Sequence, residues 1–156
     1  VVRAAWAAGL PVRVIGGGAN VLVSDLGVRG LVVINKITRV EAVGEGLLQV
    51  SAGTPLTYLC RECAARGLRG FEWAVAVPGT LGGAAINNAG AHGGAMRDTV
   101  VSATVVEPES AREWSAADLA YAIHANKIIL EDQAYKRGIN PADSGGSGSG
   151  GGNPCG

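Results

Sequence analysis

The chain has 156 residues, 47% hydrophobic and 17% charged, with 13 basic residues balancing 13 acidic ones. That is the size of one domain, with enough apolar material for a core. The neutral balance excludes the basic footprint of a nucleic-acid binder or a membrane-surface protein, and no apolar run reaches the ~20 residues that span a bilayer.

Val1–Ala8 reads as a helix end closed by Gly9, followed by a short strand, Val12–Ile15. Gly16-Gly17-Gly18-Ala19-Asn20 comes next, then Val21-Leu22-Val23 and the turn residues Ser24-Asp25, which places the glycines between two strands. Leu31–Ile34 is another strand. Val40–Val43 and Leu47–Ser51 flank Gly44-Glu45-Gly46 as a hairpin with a three-residue turn. Thr54-Pro55 has the form of a helix cap with proline in the first turn. The helix runs to about Arg66 and stops at Gly67, with Leu56, Leu59, Cys60 and Cys63 on one face.

Residues 70–94 have no strand alternation and almost no charge. Phe71-Glu72-Trp73 leads into a long run of small residues from Pro78 to Gly94, which reads as a functional loop because connectors are rarely so long. Val100–Val106 resumes as a strand. Ser115, with Asp118 three positions on, has the spacing of a helix-opening box. Residues 131–156 form a polar tail that is Gly/Ser-only over 144–152, the composition of a flexible linker, and the folded domain is expected to occupy 1–130. With seven aromatics in all, the core is expected to consist of Val, Leu, Ile and Ala.

Phosphate oxygens need several converging donors, and backbone N–H groups supply them where no Cβ intervenes. Gly16, Gly17 and Gly18 suit that task, and Asn20 can add a side-chain donor or hold the loop. The Rossmann fingerprint does not apply, because Val21 stands where its third glycine would fall. From the glycines alone a plain tight turn is an equal reading. The second stretch tips the balance toward a flat, phosphate-bearing ligand, with Thr80 and Asn88 offering side-chain hydrogen bonds.

The bland readings hold elsewhere. Cys60 and Cys63 lack the second pair or histidines of a metal site and read as buried structural thiols. No metal site is expected. Trp73 reads as a packing residue, Trp6 and Trp114 as helix-packing or surface residues, and His92 as a solvent-facing loop residue. Three cysteines make no disulfide framework, and no secretory leader pattern is visible, so a cytoplasmic setting is expected.

Two segments together carry a family resemblance. Ile15-Gly-Gly-Gly-Ala-Asn-Val-Leu-Val-Ser-Asp25 resembles the pyrophosphate loop of the UDP-N-acetylenolpyruvoylglucosamine reductase (MurB) family. Gly67-Leu-Arg-Gly-Phe-Glu-Trp73, Val77-Pro-Gly-Thr-Leu-Gly-Gly-Ala84 and Asn88-Ala-Gly-Ala-His-Gly93 resemble its second flavin-binding segment. The resemblance covers about residues 1–121. It implies an α+β FAD-binding domain of the vanillyl-alcohol oxidase type, with two small α/β subdomains clamping the cofactor. It also implies NADPH-dependent reduction of an enolpyruvyl nucleotide sugar in peptidoglycan precursor synthesis. The cofactor contacts it implies are Gly16, Gly17, Gly18, Ala19, Asn20, Val21, Leu22, Pro78, Gly79, Thr80, Gly82, Gly83, Ala84, Asn88, Ala89, Gly90 and Ala91. His124 stands where the family carries a catalytic arginine, with Ile123 and Asn126 in place of the family's tyrosine and serine. No match to the family's substrate domain is found over 131–156. The alternatives are a non-catalytic flavin-binding fragment, another flavin oxidoreductase of the same superfamily, and a nucleotide-binding module without redox chemistry.

Overall fold

A computed structural model describes residues 1–119. Helix α1 (Val2–Ala7) leads into β1 (Val12–Ile15), which pairs in parallel with β2 (Leu31–Ile34). This corrects the expected neighbour of β1. Val21–Val23 forms no strand and lies exposed in the connection. The physical reason is that parallel strands need a crossover of about a dozen residues or more, and residues 16–30 supply it.

β3 (Val40–Gly44) and β4 (Leu47–Val50) form the expected hairpin. Its turn is Glu45-Gly46 alone, because Gly44 pairs with Leu47, and the spare residue is absorbed as a bulge between Ala42 and Gly44. Helix α2 (Leu56–Ala65) then starts without a side-chain cap: Pro55 is the cap residue. The Leu56 N–H donates instead to the Gly79 carbonyl at 3.1 Å. Thr54, expected as the cap, is fully buried, and its Oγ1 has no partner among the described residues. The helix closes as a Schellman motif: Leu68 N–H bonds the Cys63 carbonyl at 2.9 Å, Gly67 N–H bonds that of Ala64 at 3.0 Å, and Gly67 takes φ +69°.

The small-residue stretch is built, not looped. It contains a 3₁₀ turn (Glu72–Ala74), helix α3 (Leu81–Ile86), and a two-residue-strand hairpin of β5 (Gly90–Ala91) and β6 (Gly94–Ala95). His92 is exposed at the tip of that hairpin, at φ +51°. A second 3₁₀ turn (Met96–Asp98) leads to β7 (Ser102–Val106), paired antiparallel with β8 (Ala111–Ser115). β8 is a strand that the sequence reading passes over. At its end Asp118 N–H donates to Ser115 Oγ at 3.2 Å and Ser115 N–H to Asp118 Oδ2 at 2.9 Å, the reciprocal box expected there, but among the described residues it closes a turn over 116–119 and opens no helix.

The core sits between α2 and residues 71–96. Leu56, Leu59, Cys63, Phe71, Trp73, Ala74, Ala84 and Met96 are buried together, with Val40, Leu48 and Val50 of the β3–β4 hairpin packed against them. Phe71 and Trp73 meet edge to face, centroids 5.3 Å apart. The expectation of a Val, Leu, Ile and Ala core therefore holds for leucine and alanine and is corrected for the rest: no valine or isoleucine is among the buried described residues. The described sheets are all two-stranded, and their branched side chains stay partly exposed. The bulky aromatic and sulfur side chains fill the space around α2 instead.

Candidate functional site

The first glycine stretch leaves the end of β1, where Asn35 N–H holds the Ile15 carbonyl at 2.8 Å. Gly16 is half-buried, while Gly17, Gly18, Ala19, Asn20, Val21 and Leu22 are exposed. Among the described residues, Gly17, Gly18, Ala19 and Asn20 donate no main-chain hydrogen bond. Gly18 takes φ +73°, and a Cβ there would meet nothing within 4 Å. These are exposed N–H groups without main-chain acceptors among the described residues.

The second stretch is pinned from behind. Leu81 N–H donates to the Thr54 carbonyl at 2.9 Å and Gly82 N–H to that of Ala52 at 2.8 Å. Those two donors are used internally, leaving the N–H groups of Gly79, Thr80 and Gly83 without a main-chain acceptor among the described residues.

The two stretches meet. A Cβ on Gly16 would land on the Thr80 side chain, within 2.9 Å of its Cβ and Cγ2. A Cβ on Gly17 would come 3.8 Å from Gly79 Cα, and one on Gly79 would come 3.8 Å from Ala19 Cβ. Residues far apart in the chain thus face each other, at Gly16 across a contact that leaves no room for a Cβ and at Gly17 and Gly79 at van der Waals distance. Both sides carry unspent N–H donors. FAD's diphosphate offers acceptor oxygens only, so this donor set fits it.

The rest of the expected contact set divides. Ala84 lies in the core, on the inward face of α3, and Gly82 is small because a Cβ there would come 2.9 Å from Ala52 Cβ. Asn88 Oδ1 is engaged by Arg97 N–H at 3.0 Å, which ties the end of α3 to the following turn. Ala89 is held on both sides, its N–H on the Ala84 carbonyl and its carbonyl under Met96 N–H, both at 2.9 Å. Gly90 and Ala91 form β5. Val21 and Leu22 are exposed, as is Pro78. His124, Ile123 and Asn126 lie outside the described residues.

Gly53 is a residue that the sequence reading missed. It is buried, and a Cβ there would come 2.7 Å from Asn35 Oδ1, 2.7 Å from Ile37 N and 2.8 Å from Ile37 O. Its turn joins the two halves of the site. On one side it packs on the segment after β2, whose Asn35 holds Ile15. On the other, the Ala52 and Thr54 carbonyls hold the start of α3. The glycine inside Ser51-Ala-Gly-Thr-Pro55 is the only signal the sequence carries of this.

The shifted ionisable groups lie elsewhere. Burial, more than its neighbour Cys60, pushes the Cys63 thiol up. Hydrogen bonds from Arg112 and then Ser110 lower the Glu107 carboxyl, and those from Ser115 lower Asp118. The site's polarity is that of main-chain dipoles, suited to binding rather than to acid–base chemistry. Among the described residues no group of His, Cys, Asp and Glu can hold a metal ion. No helix among them is long and apolar enough to cross a membrane.

The family model that matches residues 1–113 is described as an FAD binding domain. The chain belongs to this FAD-binding domain family. Its α+β fold is that family's fold, and FAD is the family's cofactor. Within the family, the chain is similar to the FAD-binding portion of the MurB reductases. It is 36% identical to the UDP-N-acetylenolpyruvoylglucosamine reductase of Synechococcus sp. (strain RCC307), over 88% of this chain and 50% of that protein. It is 46% identical to that of Gloeobacter violaceus, over 79% of this chain and 42% of that protein. The crystal structure of the MurB reductase from Thermus caldophilus superposes with a TM-score of 0.62 at 32% identity, covering 78% of this chain and 44% of that one. The chain spans half or less of the length of these relatives.

Proposed function

We propose that the chain is the cofactor-holding part of an NADPH-dependent reductase of UDP-N-acetylglucosamine enolpyruvate. In this reading the FAD diphosphate lies where the two glycine stretches meet. The observation that carries the reading is the approach of Gly17 to Gly79, with unspent N–H donors on both sides. Main-chain N–H groups of Gly17, Gly18, Ala19 and Asn20 bind from one side, and those of Gly79, Thr80 and Gly83 from the other. The missing Cβ atoms let the backbone itself reach the phosphates. The pinned start of α3 keeps the second set in place without a ligand, so little ordering is needed there on binding.

When bound, FAD supplies the hydride-transfer chemistry. The described residues contribute grip and orientation. The serine hydroxyls that bond a carboxylate among them, Ser102, Ser110 and Ser115, belong to the β7–β8 hairpin and not to the two glycine stretches. The nucleotide-sugar substrate and NADPH are part of the proposal through the likeness to the MurB reductases.

The test is a visible spectrum of the purified chain, an FAD titration, and NADPH oxidation with and without the enolpyruvyl nucleotide. A yellow chain, or one that takes up FAD, is expected. A colourless chain that ignores added FAD overturns the cofactor assignment. FAD uptake without substrate-dependent NADPH oxidation supports the non-catalytic alternative.

A further inference from the structure

We propose that Thr80 is a positioning residue that acts through Gly16: its side chain occupies the place where any other residue at position 16 would carry its Cβ, and so sets the separation of the two glycine stretches. The inference rests on the reading that FAD binds between them. It divides the glycines of the first stretch by cause. At Gly18 a Cβ would meet open space, and at Gly17 the nearest atom is Gly79 Cα at 3.8 Å. At Gly16 the three nearest atoms all belong to the Thr80 side chain, with its Cβ and Cγ2 at 2.9 Å and its Oγ1 closer still. The open faces of Gly17 and Gly18 are left for a ligand, whereas that of Gly16 is filled by the protein.

Neither partner can retreat. Thr80 is 8% exposed, and the chain on each side of it is tied down. The Gly79 carbonyl accepts from Leu56 N–H at 3.1 Å, Leu81 N–H donates to Thr54 at 2.9 Å, and the Thr80 carbonyl accepts from Ala84 N–H at 2.9 Å. Gly16 follows Ile15, whose carbonyl is held by Asn35 N–H at 2.8 Å. Of the three staggered rotamers only the one that turns the Cβ hydrogen toward Gly16 takes both heavy branches off the contact, and even then the Thr80 Cβ itself, at 2.9 Å, stays in the way. An added methyl at position 16 must therefore push the two stretches apart.

The experiment is a double-mutant cycle in the full chain, with Gly16→Ala, Thr80→Gly and the double variant. FAD dissociation constants and thermal midpoints are measured for each. Gly16→Ala is expected to weaken FAD binding about tenfold or more when Thr80 is present. In the Thr80→Gly background the same change should cost less than about threefold, because the obstructing atoms are gone. An equal loss in both backgrounds overturns the proposal, since Gly16 would then be required by the ligand itself. If Thr80→Gly does not fold, Thr80→Ala replaces it; partial recovery supports the proposal and none overturns it. If the unaltered chain takes up no FAD, the cofactor reading fails on its own. The thermal midpoints then decide the positioning role: a drop on Gly16→Ala confined to the background that retains Thr80 supports it, and an equal drop in both overturns it.

Discussion

Glycine at four positions of this site has separate physical reasons. Gly17 leaves a gap: a Cβ would be 3.8 Å from Gly79 Cα, and a β-branched side chain would fill the cleft. Gly17→Val is expected to keep the fold, because the residue is exposed, and to lower FAD affinity at least about tenfold in a fluorescence titration. Gly53 and Gly82 are packing glycines. Gly53→Ala presses a methyl on the Ile37 backbone and is expected to cost about 1–3 kcal/mol in urea unfolding. Gly16 faces the Thr80 side chain. Cys63 shows a different use of burial. Its thiol pKa is raised by desolvation, so the thiolate that reacts is scarce at neutral pH. Iodoacetamide at pH 7 is expected to leave the native Cys63 unlabelled and to label it in urea, as read by peptide mass mapping.

Among the elements, the β7–β8 hairpin depends on charge. Arg112 donates to the Glu107 carboxylate at 2.7 and 2.8 Å across the turn, and Ser110 Oγ adds a bond at 3.0 Å. These bonds hold Glu107 below the usual carboxylate range, and Ser115 does the same for Asp118. A lowered folded-state pKa means the support is complete above the unfolded value, near pH ~4.3 for glutamate. It is lost as pH falls through the folded value. The groups are exposed, so the effect is modest and screened by salt. The hydrogen-exchange protection factors of Val105 and Arg112, measured against the intrinsic rate at each pH, are expected to fall below pH ~4, and Glu107→Gln should remove that pH step. Helix α2 behaves differently, since its ends are closed by backbone: a tertiary carbonyl at one end and the Schellman motif at the other.

At the scale of the whole molecule, the core and the site share one wall. The helix α3 that buries Ala84 in the core also carries Gly83, whose Cβ position lies 3.7 Å from Thr80 Oγ1. Binding at the junction of the two stretches should therefore stabilise the fold. FAD at a hundred times its dissociation constant is expected to add about 2.7 kcal/mol, read as a rise in thermal midpoint that Gly17→Val abolishes. The local elements that repeat or cap were legible in the sequence: Val12–Ile15, Leu31–Ile34, the β3–β4 hairpin, α2 with its Gly67 stop, and the Ser115–Asp118 box. Each follows from neighbours a few positions apart. The wording of the two glycine stretches was enough to point to FAD and to the reductase family. What the sequence could not show was the pairing of β1 with β2, the helix hidden in Leu81–Ile86, and β8. Propensity in small and polar residues is weak, and long-range contacts decided the outcome. The same holds for the glycines of the opening stretches. Their composition marks a phosphate site, but only the tertiary structure separates Gly18, which faces open space, and Gly17, which meets Gly79 at van der Waals distance, from Gly16, which faces Thr80. A missing Cβ looks the same in sequence whether a ligand or another part of the chain takes its place.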